Sequence, residues 1–335
     1  MPTVRPTAHP IVRSAISEMP TQRIGEVSRI AIGDPDVIPL WFGEPDLDTP
    51  EFIRQAAINA MQAGHTRYVN KRGIPELRQA ILDYTQTHFD VALAPERITV
   101  TGSGMTAILM ATETLVDNGD NIVMISPIWP NIFYCTQTMG GQSRHVRLDL
   151  TENGWRLDLH KLFDACDDRT KAIFIASPSN PTGWMMEPEQ QQAVLDFCRQ
   201  RGIWIIADEV YHRIVYDRPV APSFLSITEP EDALYVIHSM SKAWCMTGWR
   251  CGGWCTRPRW AIKWAICRAS TTRAQPPLCN MPPPWPCVMA RISWPKAWSA
   301  AAGAGTLCIN ALAAMSVSPW RRPGRRFMPS PKLPA

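Results

Sequence analysis

The chain has 335 residues, 45% of them hydrophobic, enough for one large core or two modest ones. No apolar run approaches the ~20 residues that span a bilayer, and the first ten residues lack the apolar stretch of a secretory signal. The net charge of +4 hides an asymmetry: residues 1–252 carry 22 Lys and Arg against all 30 Asp and Glu, while residues 253–335 carry 12 Lys and Arg and no acid. A mildly acidic first part suits a metabolic enzyme better than a nucleic-acid or membrane binder. The ten cysteines fall at irregular spacings with no paired doublets. That pattern predicts reduced thiols in a cytoplasmic protein and no zinc or other metal site.

In chain order, residues 1–45 are Pro-rich and irregular, and are expected to form an N-terminal arm and part of a smaller domain. Residues 46–252 then read as one large domain. Apolar, β-branched runs predict strands at Arg97–Thr101, Asn121–Ile125, Lys171–Ala176, Ile203–Ala207 and Leu234–His238. Helical patterns such as Gly104–Val116 and Pro188–Arg201 lie between them. Buried strands spaced by helices imply an α/β fold with a mostly parallel sheet. Ligands of such sheets collect beyond the carboxyl ends of the strands. Each predicted strand end carries something chemically notable: Gly102-Ser103-Gly104, Trp129, Asn180, Asp208 and Lys242 in turn.

Lys242 follows an apolar strand and is flanked by Ser239, Ser241, Trp244 and Trp249. Desolvation there would lower its pKa and leave a neutral amine able to attack an aldehyde. Arg250 carries a fixed charge suited to a phosphate. Ser239-x-x-Lys242 also has the spacing of an acyl-enzyme motif, but the companion SDN and KTG motifs are absent. Asp208-Glu209 ends a strand, as in a Walker-type ATPase, yet no G-x-x-x-x-G-K-[ST] loop exists. The other reading of Asp208 is a buried carboxylate that keeps a pyridine nitrogen protonated, with Tyr211 bonding the ring hydroxyl. Gly102-Ser103-Gly104-Met105-Thr106 opens a helix after a strand and suits a phosphate, but lacks the third glycine of a dinucleotide fingerprint. Asn180, Trp129 and Tyr68 would singly pass as a turn residue, a core residue and a loop aromatic.

The last 83 residues hold seven of the 14 Trp, five of the ten Cys and 13 of the 31 Pro. Disordered basic tails are poor in Trp and Cys. Codons for Cys and Trp both begin TG, so a one-base regrouping turns each into a Leu, Met or Val codon. Trp260, Trp264 and Cys267 then mark an aliphatic stripe at i, i+4, i+7. The expectation is a one-base deletion near Gly252 or Gly253, with residues 253–335 an out-of-frame tail that forms no reliable domain. A large apolar face would be left exposed, which predicts aggregation.

The stretches WFGEPDLDTP, RYVNKRGIPELRQAI, TGSGMTAIL, SPIWPN, SPSNPTGW, ADEVY and SMSKAWCMTGWR, in that order over about residues 38–252, resemble the class I/II aminotransferases of PLP fold type I. Within them the chain is most similar to the aspartate-aminotransferase-like subgroup. The resemblance implies pyridoxal 5'-phosphate held on Lys242 as a Schiff base, with Lys242 also moving the substrate Cα proton. It implies Asp208 at the pyridine nitrogen, Asn180 and Tyr211 at the ring hydroxyl, and Trp129 stacked on the ring. Ser103, Gly104, Met105, Ser239 and Arg250 would bind the phosphate, joined by Tyr68 from a partner subunit of a homodimer. Gly43 would meet the substrate carboxylate through its backbone. The implied reaction moves an amino group from an amino acid to a 2-oxo acid; a β-eliminating lyase on the same scaffold, or an inactive truncated product, are the alternatives. No arginine in the readable part matches the one the family uses for the substrate carboxylate. Arg321, Arg322, Arg325 and Arg326 lie in the anomalous tail and are not candidates.

Overall fold

A computed structural model describes residues 12–20, 23–38 and 41–256. The tail expected to be out of frame, from residue 257 on, lies outside the described residues, as do its four arginines. Two helices, α1 (Ser14–Ser17) and α2 (Ile24–Ala31), come first, followed by α3 (Glu51–Gln62) and α4 (Pro75–Phe89). The sheet begins with β1 (Ile98–Thr101), then α5 (Gly104–Leu115), β2 (Asn121–Ser126), α6 (Asn131–Thr138) and β3 (Gln142–Arg147). A hairpin, β4 (Asp149–Thr151) and β5 (Gly154–Arg156), leads to α7 (Leu159–Asp164), β6 (Thr170–Ala176) and α8 (Pro188–Arg201). The described chain closes with β7 (Trp204–Asp208), β8 (Leu234–Ser239), α9 (Met240–Ala243) and β9 (Gly252–Cys255).

The seven-stranded sheet has the order β1-β9-β8-β7-β6-β2-β3. Strands β3, β2, β6, β7 and β8 run parallel, and β9 pairs antiparallel with both β8 and β1. The five strands expected from apolar runs all form, within about a residue at each end. β3, β9 and the β4–β5 hairpin were not expected. β3 reads QSRHVR and is a largely polar edge, so it has no apolar run to announce it. β9 carries the sheet to Cys255, three residues past the boundary that composition suggests.

Side-chain alternation splits the core into two layers. Val123, Ile125, Ile173, Ile175, Ile205, Ala207 and Val236 pack with Leu162 of α7 and with Val194 and Leu195 of α8. Ile122, Met124, Ala172, Phe174, Ile206, Tyr235 and Ile237 pack with Ala107, Ile108 and Met110 of α5 and with Ile132 of α6. Both faces of the sheet are therefore buried, which is why its strands read as continuous apolar runs rather than as alternating ones. Helix boundaries follow local chemistry. Pro188 opens α8 in its first turn, and Gly202, at φ 66, closes it in the left-handed conformation. Ser103 caps α5 by accepting a bond of 3.0 Å from the Thr106 amide.

Candidate active site

Period-two alternation decides which groups share a face at the ends of β7 and β8. Asp208 continues the row of Ile206, and Ser239 the row of Ile237, so both look toward the α5–α6 layer. There they line a cleft of ≈ 580 Å³, within the range of small-molecule sites. Asn180 enters from the loop after β6, Trp129 from the loop between β2 and α6, and Lys242 from α9. Ser103, Gly104 and Met105 bring the N-terminus of α5, while Gly43 and Arg250 close the cleft from two loops. Every site residue expected from sequence lines this cleft except Tyr68. That side chain is 94% exposed and lies outside the cleft of its own chain.

The α5 N-terminus is held by close packing. A Cβ at Gly252 of β9 would come within 2.5 Å of the Gly104 amide nitrogen and 2.6 Å of the Ser103 carbonyl carbon. Only a glycine at 252 lets β9 lie against this turn. The Ser239 hydroxyl accepts a bond of 3.1 Å from the Ser241 amide and lies 2.8 Å from the Ser241 hydroxyl. Arg250 has a left-handed backbone, φ 51, and its guanidinium donates to the Thr247 carbonyl at 3.0 Å.

The Lys242 ammonium donates to the Gly43 carbonyl and lies 5.8 Å from the centre of the Tyr211 ring. Burial pushes it below the ordinary lysine range; Glu44 draws it back up, Arg250 lowers it further and Asp208 raises it. Asp208 is pushed up to about 6 by burial, opposed by the Val210 amide at 3.3 Å and by Lys242. The Asn180 amide donates to the Tyr211 hydroxyl at 3.2 Å. Burial raises that phenol, the Asn180 bond lowers it, and Asp208 raises it. The cleft thus gathers an amine biased toward neutrality, a desolvated carboxyl, a paired phenol and a helix N-terminus beside a guanidinium. Those are the groups a phosphorylated pyridine aldehyde requires.

Some lining residues were not singled out from sequence. Trp41, Phe42 and Glu44 flank Gly43 in a stretch already recognised, so adjacency was the available signal. Ile24 of α2 also lines the cleft, and nothing in its local sequence indicates that. Among the described residues no cluster of His, Cys, Asp or Glu could hold a metal ion. No described helix is long and apolar enough to cross a membrane. The six described cysteines are all free thiols.

Comparison with known proteins agrees with this geometry. The family model for aminotransferase class I and II matches residues 35–277. A probable aspartate/prephenate aminotransferase of Aquifex aeolicus is 37% identical over 65% of this chain and 55% of that protein. A probable aspartate aminotransferase of Methanocaldococcus jannaschii is 32% identical over 72% of this chain and 62% of that protein. The chain therefore spans less than two thirds of the length of these curated relatives. Among solved structures, a mutant aspartate aminotransferase of Thermus thermophilus superposes with a TM-score of 0.76 at 27% identity, covering 84% of this chain and 73% of that one. The aspartate aminotransferase of Thermotoga maritima gives 0.76 at 29% identity, covering 83% and 74%. The fold is that of the fold type I enzymes, whose aspartate aminotransferases use pyridoxal phosphate, and the residues of the cleft fit that group. With its sheet, cleft and family match in agreement, the chain belongs to the class I and II aminotransferases.

Proposed function

We propose that this chain carries the cofactor-binding part of an enzyme that moves an amino group from an amino acid to a 2-oxo acid. The observation that carries the reading is one cleft that joins the desolvated Lys242 amine to partly buried Asp208 and to the Asn180–Tyr211 pair. Pyridoxal phosphate, when bound, supplies an aldehyde for the amino group and a ring that accepts electrons. Lys242 is then the residue that holds the cofactor and moves a proton at the substrate Cα. Its burial, which lowers its pKa, favours a neutral amine able to act as a base. Asp208 keeps its charge opposite the pyridine nitrogen, where a bound cation would offset the cost of burial. Asn180 and Tyr211 orient the ring hydroxyl, and Trp129 covers the ring face. Ser103, Gly104, Met105, Ser239 and Arg250 hold the phosphate at the N-terminus of α5. Gly43 meets the substrate carboxylate.

Two further parts of the proposal concern assembly and place. Val27 and Ile30 of α2 and Tyr68 are 56%, 84% and 94% exposed, apolar or aromatic side chains that a second copy of the chain would cover, with Tyr68 reaching the partner's cleft. Free thiols and the absence of a spanning helix among the described residues support a cytoplasmic enzyme. Aspartate is the first donor to test, since the relatives carry that name. The full chain, incubated with pyridoxal phosphate, aspartate and 2-oxoglutarate, should form glutamate and the oxo acid of the donor. Release of ammonia and pyruvate from a donor with a β leaving group, without amino transfer, would overturn the reading in favour of elimination.

A further inference from the structure

Behind Asp208 lies a second cluster, of buried Glu209 and half-buried His238, that the proposed reaction does not use. Glu209 follows the row of Ala207 and His238 the row of Val236, so both look away from the cleft, toward the α4–α8 layer. The Glu209 amide donates to the Ile237 carbonyl at 2.9 Å, which extends the β7–β8 ladder past Asp208 and fixes this orientation. Glu209 is 2% exposed. One of its oxygens accepts from the Phe224 amide at 2.9 Å. The other accepts from the Ser223 hydroxyl at 2.6 Å and lies 3.6 Å from His238 Nε2. His238 Nδ1 has no hydrogen-bond partner, and its ring lines a cavity of ≈ 40 Å³ with His212, Tyr84 and Trp244.

Two adjacent carboxyls at one strand end cannot both ionise cheaply when both are desolvated. One of the two therefore needs a proton or a compensating charge. His238 is the group placed to share it, because its Nε2 lies 3.6 Å from Glu209 and, among the described residues, no other acid pairs with it. We propose that Glu209 and His238 hold a single proton between them, and that this leaves Asp208 as the only net negative charge at the β7–β8 ends. Glu209 is thus a positioning residue that acts through Asp208, and the inference rests on Asp208 facing the cofactor ring.

The surroundings of Glu209 are consistent with one shared proton. Burial pushes its carboxyl up to about 8, against the lowering pull of Ser223 and Phe224 and with a further rise from Asp208. Burial holds the His238 imidazole down to about 4. His212 donates Nδ1 to the Glu209 carbonyl and lies 2.8 Å from the Tyr84 hydroxyl of α4; burial keeps it well below its ordinary range. From the neighbouring strand, Cys255 of β9 is raised to about 11 by burial, and Arg97, ahead of β1, donates to the Thr256 carbonyl. Together, Glu209 and His238 keep zero net charge until that proton leaves. Its loss places a second negative charge beside Asp208.

The test uses the full chain without cofactor and follows its stability in urea from pH 5 to pH 9. An acid whose pKa rises on folding loses its stabilising proton as pH climbs through the folded value. Wild type should therefore lose folding constant relative to Glu209→Gln by on the order of a hundredfold across this range. Asp208→Asn removes the neighbouring charge and should move the transition to lower pH; Ser223→Ala removes a donor and should move it higher. A gap between wild type and Glu209→Gln that does not vary with pH would overturn the shared proton. An unmoved transition in Asp208→Asn would overturn its coupling to Asp208. Should Glu209→Gln fail to fold, the opposite shifts in Asp208→Asn and Ser223→Ala still decide the matter. Failure of the cofactor reading is seen separately, as absence of a borohydride-fixed adduct on Lys242.

Discussion

The interior of the sheet and its carboxyl ends are built on opposite principles. Inside, Val123, Ile173, Ile205 and Val236 are fully buried and make only apolar contacts and ladder hydrogen bonds. At the ends, within a few residues of the same strands, Asp208, Glu209, His238 and Lys242 are desolvated and their protonation is displaced. The lesson is that cohesion and chemistry are neighbours along each strand but draw on different residues. Substitutions should therefore separate them.

The largest loss of stability is expected inside. Ile205→Ala should cost about 3 kcal/mol by urea unfolding, the usual result of emptying a fully buried aliphatic site, while fixation of cofactor on Lys242 survives. Gly252→Ala joins the two regions, because its Cβ would strike the backbone of Ser103 and Gly104. It should cost about 2 kcal/mol and also weaken phosphate affinity, measured by titrating pyridoxal phosphate into the chain. Asp208→Asn should act in the opposite sense on the unloaded chain. The Asp208 carboxyl at about 6 contributes its full stability below its unfolded pKa, and that contribution is lost as pH rises through 6. At pH 7.5 the Asn variant should be more stable than wild type by about 1–2 kcal/mol; near pH 4 the gap should close. Cofactor affinity should fall in the same variant. Ser103→Ala has the smallest effect, about 1 kcal/mol from the lost α5 cap, read from the same urea curves.

The interior was the legible half in sequence. Apolar runs such as Lys171–Ala176 and Leu234–His238 place their strands to within a residue, because both faces are buried and no polar alternation interrupts them. Two strands were not legible: QSRHVR of edge strand β3 is polar, and GGWC of β9, inside the sheet, is too short and glycine-rich to read as a strand. At the ends, the chemistry was legible wherever a residue ends a strand or lies just past one, as Asp208 and Lys242 do. Ile24 was not, since its place in the cleft depends on how α2 packs rather than on its own sequence. Glu209 and His238 were hidden for a related reason. Their neighbours in sequence are site residues, and only the face each side chain takes sets them apart.

The central claim is that Lys242 is the cofactor's point of attachment. The direct measurement is to reduce the full chain with borohydride after adding pyridoxal phosphate and to map the modified peptide by mass spectrometry. The account predicts one stable adduct on Lys242, lost in Lys242→Ala. An adduct on any other lysine, or none on folded protein, would contradict it.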